Sequence, residues 1–232
     1  WCKDNKVDFE KRKHLITDAG QLAPEFTKAD DAVEFFVHSP FAKRLNDDEV
    51  EDRNQDAIVM HVTFVADDVD TKVWLMADAT HEVIADIVDI TNSKKRPERM
   101  QWDIIKLPHH CSYLSIGPEK GTTKTKPVDQ VQELFEDHGN ENGIIISTSK
   151  PVPAKGSKED KDKEPPHRQA ANYYAEDVVD DPAENFKVTM EHPNKLAPKP
   201  IVIDIDGSKA TVRKRAAIVG AAAVAVSAPR AG

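Results

Sequence analysis

The sequence predicts a mixed α/β fold, helices layered on strands, and three observations predict it. Short apolar runs rich in β-branched and aromatic residues occupy 33–38, 57–65, 72–78, 102–107 and 143–148. Between them lie stretches whose apolar residues recur at helical spacing. Finally, 39% of the 232 residues are hydrophobic and 31% charged, with a mean hydropathy of −0.58, so the chain is polar yet apolar enough to bury one core.

Residues 1–31 are highly charged, with one weak apolar segment at 14–16, and read as a linker or the remnant of an upstream segment. Residues 33–38 form a strand that Ser39-Pro40 stops. An acidic loop at 41–56 precedes two strands, 57–65 and 72–78, whose connection at 67–70 makes them a hairpin. Thr80 is placed to cap a helix carrying Val83, Ile84, Ile87 and Val88 on one face as far as Ile90. After a turn at 92–98 the strand 102–107 runs into Pro108-His109-His110-Cys111-Ser112. A helix at 128–136, a buried strand at 143–148 and a helix at 167–179 follow, with the Pro/Lys/Asp-rich and mobile segment 150–166 before the last. Strands at 186–190 and 199–205 turn through Asp206-Gly207-Ser208 into 210–213, and 215–232 reads as an appended tail.

Composition narrows the function classes. The net charge is −9 and the 32 basic residues are dispersed, which argues against a general nucleic-acid-coating surface. No apolar run approaches the ~20 residues of a membrane span, so a soluble, cytoplasmic protein with no membrane partner is expected. Two cysteines, Cys2 and Cys111, cannot build a disulfide framework. The start at Trp1 carries no signal-peptide pattern and reads as the inside of a longer gene product.

Polar groups stand where strands end. Asp78 closes one, His109 and His110 close the next, and His167 opens a helix beyond the strand after that. A carboxylate and imidazoles from separate elements at one sheet edge suit zinc, manganese or iron. The alternatives are that Asp78 caps a helix and that the His-His pair belongs to a loop or the core. His61 reads as a packed strand residue, and His14, His38 and His81 have no partner at ligand spacing.

Trp74-Leu75-Met76-Ala77-Asp78-Ala79, a helix, and then Asp103-Ile104-Ile105-Lys106-Leu107-Pro108-His109-His110-Cys111-Ser112 resemble the second half of the metallo-β-lactamase fold, above all its ComEC-type hydrolase branch. There a strand ends in Gly-Asp and a later one runs into Pro-His-His-Gly-Ser, and the segments 33–40 and 54–62 also look like that family. The resemblance covers roughly residues 33–148 and extends loosely to 179. It implies an αββα sandwich of which 32–214 is the C-terminal half, with Asp78 a metal-bridging carboxylate and His109 a terminal ligand. It also implies that His110 stands behind His109 or replaces it, that His167 lies near the catalytic face, and that Ser112 touches substrate. Catalytic roles thus fall on Asp78, His109, His110 and His167, and the cofactor is one or two divalent ions, zinc or manganese, weakly held in this chain. The implied function is metal-dependent hydrolysis of a phosphodiester or other ester, in a small molecule or a nucleic acid. Ala77 and Cys111 stand where that branch has glycines, and its His-x-His-x-Asp-His motif occurs nowhere in the chain. A separate N-terminal half is therefore the expected partner, and a catalytically inactive binding or scaffolding module on the same fold is the rival reading.

Overall fold

The computed structural model describes residue 8 and residues 10–41 and 56–214. Strands β1 (Val33–Ser39), β2 (Val59–Ala66), β3 (Val69–Leu75), β4 (Trp102–Lys106), β5 (Gly139–Ser147) and β6 (Phe186–Val188) form one six-stranded sheet in chain order. The pairs β1/β2 and β2/β3 are antiparallel, whereas β3 to β6 run parallel. A separate hairpin joins β7 (Ile203–Ile205) to β8 (Ala210–Val212). The helices are α1 (Lys28–Asp31), α2 (His81–Ser93), α3 (Asp129–Gln132), α4 (Arg168–Tyr173) and α5 (Pro182–Asn185). The α/β class read from the sequence is thus the observed one. None of the described helices is long and apolar enough to cross a membrane.

A parallel strand is covered on both faces, so it carries apolar residues in both parities. Trp74, Ile105 and Ile145 point to the helical side, where Val83, Ile84, Ile87 and Val88 of α2 join them in the main core. Val62, Val73, Ile104, Ile144 and Ile146 point the other way, against Ile203, Ile205, Ala210 and Val212 of the hairpin. The β2–β3 connection is a two-residue turn whose central residues, Asp67 and Asp68, both have positive φ (49° and 64°), as a hairpin of matching twist requires.

The elements depart from the sequence reading where side chains redirect the backbone. Helix α2 continues past Ile90 to Ser93, with Thr91 Oγ1 donating to the Ile87 carbonyl (2.7 Å) and Ser93 Oγ to that of Ile90 (2.7 Å) in its last turn. Strand β5 starts at Gly139 rather than 143, since Trp102 lies across its first residues: a Cβ at Gly143 would come within 2.5 Å of the indole. The helices expected at 128–136 and 167–179 each shorten to an α-helical start followed by a wider π turn, Glu133–Asp137 and Tyr174–Val178. The segment 150–166, expected to be mobile, is fastened by a sheltered Arg168–Asp160 ion pair (3.0 Å) and by Lys120 Nζ donating to the carbonyls of Asp160 and Asp162.

The expected boundary at residue 31 is crossed by the sheet. Gly20 N–H donates to Val37 O (2.7 Å), Val37 N–H to Gln21 O (3.0 Å) and Ala23 N–H to Phe35 O (2.8 Å), so 20–23 run along the outer edge of β1. Of the 41–56 loop only the two end residues are described, and the 215–232 tail and Asn54 lie outside the described residues.

Two histidines are built into the core beside Trp74. His38 stacks on the indole (4.5 Å between centroids) and donates Nε2–H to Arg99 O (3.2 Å), and His61 meets the indole edge-on and donates to Gln101 O (2.9 Å). Burial, aided by the neighbouring His61, depresses His38 to about 3. Burial depresses His61 to about 4, with Arg99 and Lys72 adding to the effect and Glu34 opposing it. Above the ordinary histidine value of about 6.5 both rings are neutral whether the chain is folded or not. Below it the unfolded chain takes up protons that the folded one refuses, so stability falls with pH, by up to about 1.4 kcal/mol per pH unit for each ring. Denaturant titrations should show this loss between pH 6.5 and 4.5, and His61→Gln should make the slope shallower.

Candidate functional site

Because β3, β4 and β5 are parallel, their C-terminal ends share one edge. Asp78 follows β3, His109 and His110 follow β4, and Thr148 follows β5. The Ala77 carbonyl joins the first two loops, accepting His109 N–H (3.0 Å) and Lys106 Nζ (3.1 Å). His110 reaches the third: its Nδ1–H donates to Thr148 O (2.7 Å), which turns Nε2 toward Asp78 Oδ1 at 3.6 Å. Both side chains of that pair are about half exposed.

The backbone here is mostly left-handed. Ala77 has φ 38°, His109 44°, His110 53° and Cys111 67°. Each such residue without glycine's freedom costs about 1–3 kcal/mol. Ala77 and Cys111 therefore occupy glycine-like backbone with side chains that only just tolerate it.

The imidazoles have different duties. His109 is half-buried, its Nδ1 is buried without a hydrogen-bond partner, and desolvation lowers its pKa while Asp78 opposes the shift. The ring is neutral at neutral pH and keeps an unused nitrogen. His167 is buried and has no nitrogen to spare. Its Nδ1 accepts Tyr113 N–H (3.3 Å), its Nε2–H donates to Lys163 O (3.1 Å), and its own N–H donates to Cys111 O (3.0 Å). It ties the His-His-Cys-Ser loop to α4, near enough for His109 to depress its pKa slightly after burial and Lys120 have done so.

Ser112 is buried, and its hydroxyl accepts Leu114 N–H (3.3 Å) to cap the single turn Tyr113–Ser115. Cys111 is fully buried and burial pushes its thiol up to about 12, so it packs as a small residue. Asp78 is not at the cap position of α2, which Thr80 occupies without its hydroxyl making the expected capping bond.

Lys106 joins the edge as a residue that strand-end spacing does not mark. Burial lowers its pKa and the charge of Asp78 opposes the shift, while its ammonium donates to the Ala77 carbonyl. Its signal is a lysine directly after the apolar pair Ile104-Ile105 at the end of β4. The structure thus gathers Asp78, His109, His110 and Lys106 at one edge, sets His167 behind them and turns Ser112 inward. Among the described residues no three His, Cys, Asp or Glu side chains are grouped to hold a metal ion.

No protein family, curated protein or solved structure matches this chain. Its chemistry therefore rests on the geometry of this edge.

The left-handed loops make a direct prediction. Ala77→Gly should raise stability by up to about 1 kcal/mol, and Ala77→Val, whose β-branched side chain fits positive φ poorly, should lower it by about 2 kcal/mol. Urea unfolding of the two variants measures both, and the sign of the difference tests the strain.

Proposed function

We propose that residues 32–214 are the C-terminal half of a metallo-β-lactamase-like αββα sandwich, contributing Asp78 and His109 to a hydrolytic zinc or manganese centre. The observation carrying this reading is the left-handed backbone at Ala77 and Cys111. These are the two positions where the resembling branch has glycines, and the loops they shape bring Asp78 and His109 to one edge. The unused nitrogen of His109 and its neutral state are also what a ligand needs.

The described residues alone do not fit a metal ion. Catalytic zinc takes about three protein ligands, whereas no such group occurs among them and His167 spends both nitrogens on hydrogen bonds. In this reading the remaining ligands come from a segment bearing His-x-His-x-Asp-His, and the complete assembly hydrolyses a phosphodiester or other ester. The chain's own contribution is to hold His109 neutral, to anchor its loop through His167, and to fix the loop before Asp78 through the Lys106 ammonium on the Ala77 carbonyl. A second reading, a binding or scaffolding module without chemistry, is favoured by the His110 imidazole facing Asp78 at 3.6 Å, which occupies the side of the carboxylate a metal would use.

Metal analysis after dialysis should find well under one ion per chain, and bis(p-nitrophenyl) phosphate should be hydrolysed no faster than in buffer. Adding a segment with the missing motif should produce activity that Asp78→Ala abolishes while the domain stays folded, since Asp78 is outside the core. Tight stoichiometric metal on the chain alone would contradict the half-site. Failure of every complementing segment would leave the binding module as the reading.

A further inference from the structure

At the other end of α2, about 20 Å from Asp78 given its 13 residues at 1.5 Å each, a second recess opens between the helix, β1 and the edge segment at Gly20 and Gln21. It encloses about 350 Å³, within the range of small-molecule pockets, and continues into a shallower recess past Arg96 and Arg99. Phe36, Ile87 and Ile90 give it apolar walls. Lys94, Arg96 and Arg99 line it too, and among the described residues no Asp or Glu does, Glu98 lining only the shallower part.

In a chain of net charge −9 this is a local reversal of sign. Arg99 is partly committed, stacked on Phe36 at 4.7 Å and paired with Glu34 at 2.8 Å. Arg96 gives one N–H to Gly20 O (3.3 Å), and among the described residues no carboxylate pairs with Arg96 or Lys94. A helix C-terminus attracts basic residues through its dipole, but that does not account for the apolar recess beneath them. A partly open recess with apolar walls, rimmed by Lys94 and Arg96 that pair with no carboxylate among the described residues, complements one kind of molecule.

We propose that this recess binds an amphipathic organic anion, an aliphatic chain ending in a carboxylate. The chain lies on Phe36, Ile87 and Ile90. The carboxylate meets Arg96, whose planar fork suits two-point pairing, with Lys94 beside it. The site is independent of the strand-edge cluster and of any metal there.

Calorimetric titration of the whole chain with decanoate below its micelle concentration tests this. Saturation at one decanoate per chain is expected, weakened by high salt and about tenfold or more by Lys94→Gln with Arg96→Gln, the loss of charge-assisted hydrogen bonds. Ile90→Glu, at a side chain already 43% exposed, places a like charge in the recess and should abolish binding. Circular dichroism confirms that each variant is folded, and if Ile90→Glu is not, the double variant carries the test. Decanol and decyltrimethylammonium should bind at least about tenfold more weakly than decanoate. The proposal is overturned if decanoate does not saturate, if both variants bind it as the parent does, or if decanol binds equally well. It is also overturned if an acidic peptide saturates the recess and decanoate does not, which would assign it to a protein partner.

Discussion

The carbonyl oxygen of Ala77 is the tie on which the strand-edge site depends. It accepts hydrogen bonds from the backbone of His109 and from the ammonium of Lys106, and so fixes the loop after β3 to the strand and loop that follow it. Beyond single helical turns at Pro108–His110 and Tyr113–Ser115, neither loop has regular structure of its own. Ala77 must adopt a left-handed φ to aim that oxygen inward, and the energy this costs is offset by the two bonds it accepts. Asp78, one residue on, is placed at the edge as a result. His110 and His167 repeat the device, each using ring nitrogens to hold a neighbouring carbonyl or amide.

Strands and the long helix were legible because burial imposes a period. The alternation of Val73 and Trp74, or of Ile104 and Ile105, shows strands with two covered faces, and Val83, Ile84, Ile87 and Val88 mark the inner stripe of α2. What was hidden depends on contacts between distant residues. The pairing of 20–23 with β1 uses backbone groups and leaves no side-chain pattern. The early start of β5 depends on the indole of Trp102, and the anchoring of 150–166 on Arg168 reaching Asp160.

The site divides on the same line. That Asp78, His109 and His110 share an edge follows from strand ends, which periodicity reveals. Which way a side chain turns beyond the strand does not. Ser112 and His167 point inward because their hydrogen-bonding atoms are needed by Leu114, Tyr113 and Lys163, none of which is marked by spacing. Lys106 was concealed by its place in an apolar run, although the parity of β4 puts it on the face opposite Ile105.

The strip at 20–23 has a practical implication for anyone dividing the chain. A fragment begun at residue 32, where composition changes, would leave β1 with a bare row of amide and carbonyl groups along one side. Such a row recruits strands from other molecules. The shortened protein would tend to polymerise edge to edge, and the residues that look most like spacer are the ones that cover this edge.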